Sequence, residues 1–166
     1  PEEAEIAAAE GADGIGLFRT EFFYMSQSGV SLNAAARSFN EQTQFEAYKQ
    51  VLQIMGDKPV TIRTLDAGGD KLINSVDIPI LDEKNPLMGL RAVRLSLANP
   101  QVFKTQLRAL YRASVYGNLK IMFPLISSVS QVRECLRFAK EVQNELAAEN
   151  IPFKKDIQVG IMVETA

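Results

Sequence analysis

Two arginines and a glutamate stand at the ends of short apolar runs, and they set the chemistry open to this chain. Gly14-Ile15-Gly16-Leu17-Phe18-Arg19-Thr20-Glu21 is an apolar run with helix-breaking glycines that stops at an arginine and an acid. Pro59-Val60-Thr61-Ile62-Arg63-Thr64-Leu65-Asp66 repeats the pattern, and Val159-Gly160-Ile161-Met162-Val163-Glu164 repeats it with the acid alone. Buried strands that each end in a charge are the mark of a site at one end of a parallel sheet. A guanidinium presents a planar fork of donors that matches two phosphate oxygens, and it stays charged. Magnesium takes one or two carboxylates and completes its shell with substrate oxygens and water. Arg19, Arg63 and Glu164 therefore suit a phosphorylated anion and a divalent metal. A plainer reading fits the same letters: each arginine pairs with a near neighbour, Glu21 or Asp66, and Glu164 makes an ion pair at the rim.

Other residues extend this set. Asp66-Ala67-Gly68-Gly69-Asp70-Lys71 has paired glycines that let a backbone approach an anion, and Lys71 would add a point charge. A tight turn explains those letters equally. Asn85-Pro86-Leu87-Met88-Gly89-Leu90-Arg91 offers a third arginine; Arg91 and Arg94 either reach the same centre or are solvated. Cys135 lies near the inward stripe of a helix and reads as a small core hydrophobe rather than a reactive thiol. Met122 and Phe123 read as core. The chain has no histidine, which removes histidine metal sites and histidine general bases.

Positioning these residues requires alternating elements. Acids in the first turn and alanines throughout predict a helix over 2–10, broken by Gly11 and Gly14 before a strand over 14–18. Residues 25–33 read as a turn-rich loop. Phe45, Tyr48, Leu52 and Met55 recur on one face of a helix over 34–55, with Gly56 as its stop. A strand follows over 60–64, then a loop over 67–80, a turn at Asn85-Pro86 and an extended piece near 90–94. Pro100 opens a helix with Phe103, Leu107, Leu110 and Ser114 inward, ended by Gly117. Residues 120–124 form a strand. Val132, Leu136, Ala139, Val142 and Leu146 mark a helix over 129–149, and 157–163 is the last strand. Helices alternating with short apolar strands predict an α/β fold with a mostly parallel sheet.

At 166 residues, with 46% hydrophobic and 23% charged, the chain can bury one core. A net charge of -2 excludes the basic footprint of a nucleic-acid binder. No apolar run reaches the roughly 18 residues of a membrane span, and the acidic start is unlike a signal peptide. One cysteine excludes an internal disulfide and fits a reducing, cytoplasmic setting. A helix first and a strand last, against the roughly 250 residues of an eight-fold barrel, read as a single piece of a barrel domain over 1–166, cut at both sides.

Together, GIGLFRTEFFYM, TIRTLDAGGDK, NPLMGLRAVR, YRASVYGNLKIMFPLISSV and GIMVET resemble the phosphoenolpyruvate-binding barrel of the enzyme I family of bacterial phosphotransferases, in the family's order and over nearly the whole chain. The resemblance implies a partial (β/α)8 barrel of the phosphoenolpyruvate/pyruvate-binding type, with its site at the C-terminal strand ends. It implies that Arg19 and Arg63 bind phosphoenolpyruvate, that Arg91 and Lys71 lie near the phosphate, and that Glu164 is one of two acidic Mg2+ ligands. It places the second metal acid, the proton-donating cysteine and the phosphorylated histidine outside this chain. It implies a transferase that passes a phosphoryl group to a histidine on another domain and on to a histidine-containing phosphocarrier protein for sugar uptake, in a homodimer. Pyruvate phosphate dikinase and phosphoenolpyruvate synthase share the barrel, and a dimerisation module without activity is a further reading. Two departures stand out: Ala166 replaces the usual proline after Glu-Thr, and the stretch from Ser26 to Asn40 is longer than usual.

Overall fold

The computed structural model describes residues 2–21, 40–67 and 89–165. Four strands, β1 (Ile15–Phe18), β2 (Pro59–Arg63), β3 (Asn118–Phe123) and β4 (Gln158–Ile161), form one parallel sheet in the order β1-β2-β3-β4. Helices occupy the crossovers, as parallel neighbours require. These are α2 (Glu41–Met55), α3 (Ala92–Ala98), α4 (Pro100–Ala113) and α5 (Val129–Ala148), while α1 (Glu2–Ala9) precedes β1. Strands that neighbour each other in both chain and sheet have the order of consecutive strands in a (β/α) barrel wall.

Local chemistry sets the boundaries. Asn40 has extended backbone (φ -73, ψ 154) and its side chain accepts a hydrogen bond from the Thr43 N–H at 2.8 Å. It therefore caps α2, so the expected helix over 34–55 begins at Glu41; residues 34–39 lie outside the described residues. Gly56, with φ 59, closes α2 and donates its N–H to the Leu52 carbonyl. Pro100 stands at the start of α4, where its missing N–H costs nothing. Ser128 caps α5 by accepting from the Gln131 N–H. Gly14 is required by proximity: a methyl there would lie 2.6 Å from the Pro59 carbonyl oxygen, where β1 meets β2.

Two expectations need correction. The piece near 90–94 is not extended; only Arg91 is (φ -140, ψ 169), and α3 starts at Ala92. Val93 and Leu97, one turn apart, both pack on the core, a spacing that only a helix provides. On α5, Leu136 is exposed, and the buried face runs through Cys135, Phe138, Ala139, Val142 and Leu146. Of the expected stripe only Leu136 is misplaced; Val132, Ala139, Val142 and Leu146 lie in or against the core as expected. Cys135 is fully buried, as a core residue should be. The turn-rich stretch over 25–33, the loop over 68–80, the Asn85-Pro86 turn and the long stretch from Ser26 to 39 fall outside the described residues.

Alternation along β2 and β3 divides the sheet. Val60, Ile62, Leu119, Ile121 and Phe123 face the helices and join one core with Tyr48, Val51 and Leu52 of α2, Leu107 and Leu110 of α4 and Val142 of α5. Phe103 stacks edge-on against Phe123 and Phe138 at 5.9 and 5.8 Å, which ties β3, α4 and α5 together. The opposite face carries Thr61, Arg63, Lys120 and Met122, a polar and adaptable set. On the outside, Arg108 bonds Glu41 at 2.6 Å and Glu149 at 2.6 Å, and Arg112 bonds Glu41 at 2.6 Å, so charges clamp α2, α4 and α5. Burial of the apolar stripes supplies most of the stability of this packing, at ~25 cal/mol per Å² of apolar surface; the clamps add little by comparison.

Candidate functional site

Register places the charges. Phe18 is level with Ile62, and Arg63 is level with Met122 and through it with Gly160. Arg19 follows Phe18 immediately. The two arginines therefore leave adjacent strands at the same height, on the C-terminal edge of the sheet. Glu164 comes later, in the segment past β4, beside the loop that follows β3.

Arg63 is the hub. Its Nη2 donates to Glu21 Oε1 at 2.8 Å, and its Nη1 lies 2.9 Å from Asp66 Oδ2 and 3.6 Å from Met162 Sδ. Asp66 Oδ1 accepts from Arg91 Nη2 at 3.2 Å, and Glu21 also accepts the Asp66 N–H at 3.1 Å. Arg63, Glu21 and Asp66 side chains are only 11–15% exposed, so these bonds act at reduced dielectric. The plainer pairing read from the sequence is thus present, with both suggested acids on one arginine. It does not use all of the donors. Arg63 Nε, Arg91 Nε and Thr64 Oγ1 are buried and have no hydrogen-bond partner among the described residues. Buried donors are nearly always paired, so the two arginine orphans within this cluster need a cause.

Behind this cluster lies a buried polar chain. Thr20 Oγ1 donates to the Arg63 carbonyl at 3.1 Å, Gln106 Nε2 donates to Thr20 Oγ1 at 3.3 Å and to the Tyr48 hydroxyl at 3.2 Å, and Gln106 Oε1 accepts the Leu65 N–H at 2.9 Å. Tyr48 in turn donates to Gln44 Oε1 at 3.1 Å. Burial pushes the Tyr48 phenol far up, so it stays protonated as the donor this chain needs. Burial likewise pushes the Cys135 thiol up to about 12, with Glu134 adding to it.

Glu164 is exposed, and its Oε1 accepts the Leu125 N–H at 2.8 Å. Leu125 has φ 52, a left-handed conformation that costs a non-glycine residue energy. Ala92, next to Arg91, has φ 49 and donates its N–H to the Ala67 carbonyl at 3.0 Å. Both strained residues stand at the rim.

Of the residues singled out in the sequence, Arg63 and Arg91 meet on Asp66. Arg19 is exposed and adjoins Thr20, which bonds to the Arg63 backbone. Glu164 stands on Leu125, and Met162, two residues earlier, reaches Arg63. Lys71 lies outside the described residues. Arg94 bonds the Gly89 carbonyl and Ser127. Sequence reasoning missed Gln106, Tyr48 and Thr20 as a unit. The available signal was Gln106 itself, a polar residue within the Phe103-Leu107-Leu110 inward stripe. No group of three or more acidic or cysteine side chains able to hold a metal occurs among the described residues, and none of their helices is long and apolar enough to cross a membrane.

Comparison with known proteins gives a consistent picture. The family described as PEP-utilising enzyme, PEP-binding domain, matches residues 1–166. The chain is 45% identical over 164 residues to a phosphoenolpyruvate-protein phosphotransferase of Staphylococcus epidermidis and to one of Priestia megaterium, and 46% identical to one of Geobacillus stearothermophilus. In each case 99% of this chain is covered and 27% of the relative, so the chain spans about a quarter of the length of the curated relatives it matches.

Proposed function

The chain belongs to the PEP-utilising enzymes, as their PEP-binding domain, and on that premise we propose that its C-terminal strand edge binds phosphoenolpyruvate within a phosphoenolpyruvate–protein phosphotransferase. The observation that carries this is the pair of guanidinium groups on Asp66: Arg63 and Arg91 each keep a buried Nε donor without an acceptor. A phosphoryl or carboxylate oxygen satisfies such donors, and water-poor surroundings strengthen the bond. Arg19, one strand over and at the same height, supplies a third guanidinium to the same anion, and Lys71 adds a further charge. Arg19 and Arg63 neutralise the equatorial phosphoryl oxygens. Phosphoryl transfer depends mainly on such positioning and charge stabilisation.

Glu164 is open to magnesium. It is a single exposed carboxylate with one oxygen given to Leu125, which suits an ion that draws most of its ligands from substrate and water. Glu164 would hold Mg2+, which when bound supplies neutralising charge to the carboxylate and phosphate oxygens of the substrate. In this reading the phosphoryl group passes to a histidine on another domain, in keeping with the absence of histidine from this chain, and from there to a histidine-containing phosphocarrier protein. This reading makes the sheet an arc of a complete barrel in a cytoplasmic, homodimeric enzyme of sugar uptake.

Calorimetric titration of phosphoenolpyruvate into the full protein, with and without Mg2+, tests the reading. Saturable binding that strengthens with the metal is the expected result. Absence of saturable binding under both conditions would refute it.

A further inference from the structure

We propose that Gln106 is a positioning residue for the arginine cluster: its buried carboxamide fixes the two strand ends that carry Arg19 and Arg63 relative to each other. Packing alone does not call for glutamine there. Gln106 is 2% exposed, on the inward face of α4 beside Leu107 and Leu110, where a leucine would fill the same space. The amide instead bonds through both its oxygen and its nitrogen. Its oxygen takes the Leu65 N–H just past β2, and its two N–H groups go to Thr20 Oγ1 just past β1 and to Tyr48. Thr20 closes the loop by donating to the Arg63 carbonyl.

Two details make this a positioning device. The β1–β2 register is irregular between Ile15 and Phe18, immediately before Arg19. The backbone ladder therefore loses its regularity where precise placement of Arg19 is needed, and the Thr20–Gln106–Leu65 bridge takes over. The amide is also held in one orientation. Tyr48 gives its proton to Gln44, so its oxygen accepts from the amide nitrogen, and Leu65 N–H demands the amide oxygen. Gln106 touches no reacting group; it acts through Thr20, Arg63 and Leu65, the last adjoining Asp66.

Hydrogen exchange and kinetics on the full protein test this, with Leu107→Ala as a control that removes a fully buried neighbour on the same helix. The kinetic arm rests on the phosphoenolpyruvate reading; the exchange arm does not. Gln106→Leu should speed exchange of the Leu65 and Asp66 amides by at least about tenfold, beyond any change that Leu107→Ala causes there. It should also lower kcat/KM for phosphoenolpyruvate by at least about tenfold, as small misplacements of positioning groups do. Gln106→Glu keeps an acceptor for the Leu65 N–H but, as a carboxylate, donates to neither Thr20 nor Tyr48, so at neutral pH it should lower kcat/KM while protecting the Leu65 amide better than the leucine variant does. Its ratio to wild type should rise as the pH falls, because a protonated acid regains one donor. If Gln106→Leu does not fold, Tyr48→Phe removes only the anchor of the amide and should accelerate the same two amides to a smaller degree. Unchanged exchange at Leu65 and Asp66, or an equal kinetic loss in Leu107→Ala, overturns the proposal. A wild-type protein without phosphoenolpyruvate turnover would defeat the function proposed above and leave the exchange result to decide on Gln106.

Discussion

Replacing Arg63 separates a ligand-binding role from a structural one. Arg63 holds Glu21 and Asp66 through its two terminal nitrogens and keeps Nε in reserve. In Arg63→Ala both acids retain one partner: Glu21 keeps the Asp66 N–H, and Asp66 keeps Arg91. The stability loss should therefore be about 2 kcal/mol, below the 3–5 of a stranded buried charge. Transition-state stabilisation is a separate quantity. One preorganised charged contact is worth about 3 kcal/mol, so kcat/KM should fall by at least about a hundredfold at temperatures where the variant is folded. Arg63→Lys retains the charge but loses the fork and the Nε donor, and should fall about tenfold. Steady-state kinetics, phosphoenolpyruvate calorimetry and melting curves on the same three proteins give the answer. A lowered melting temperature with affinity and turnover within about twofold of wild type would show that Arg63 does no more than tie the rim together.

Four further outcomes follow from other parts of the molecule. Glu41→Ala removes the acid shared by Arg108 and Arg112; denaturant titration should show a loss of about 1 kcal/mol that shrinks as salt is added. Gly14→Ala forces a methyl against the Pro59 carbonyl, and should destabilise by about 1–3 kcal/mol in the same assay. Cys135 should resist alkylation until the protein unfolds. Because its thiol is held at about 12 in the fold against an ordinary 9.0, its contribution to stability is full below the lower value and is lost as pH rises towards the higher one, which alkaline unfolding curves would show. The 166-residue chain alone should release no pyruvate from phosphoenolpyruvate, since it has no histidine to take the phosphoryl group; a coupled pyruvate assay on the purified chain checks this.

The sheet and most helices were legible because their signals are local. Val60 and Ile62 alternate with Thr61 and Arg63, and Tyr48, Leu52 and Met55 repeat at helical spacing, so burial alone dictates strand and helix. The start of α2 was harder, because Asn40 announces a cap only if its backbone is known to be extended. The stretch 90–94 was misread because Arg91 is extended and Ala92 left-handed, a turn into α3 stabilised by the distant Ala67 carbonyl rather than by neighbours. At the site, Arg63 and its two acids could be named from spacing. The Gln106 bridge could not, because its partners lie 41, 58 and 86 residues away in the chain and each is unremarkable by itself. What a polar residue does inside a core depends on who stands opposite, and that is a property of the assembled sheet.

Arg63, Arg91, Glu21 and Asp66 sum to zero formal charge, in a chain whose own net charge is -2. By itself such a quartet projects little field into solvent, so any pull on distant anions would fall to other charges, exposed Arg19 first among them. On the reading proposed above, a newcomer's oxygens would be taken up by the Nε donors that Arg63 and Arg91 hold in reserve. Fixed donors of that kind reward matching geometry far more than opposite sign, and a small spherical anion that cannot span both of them would gain little there.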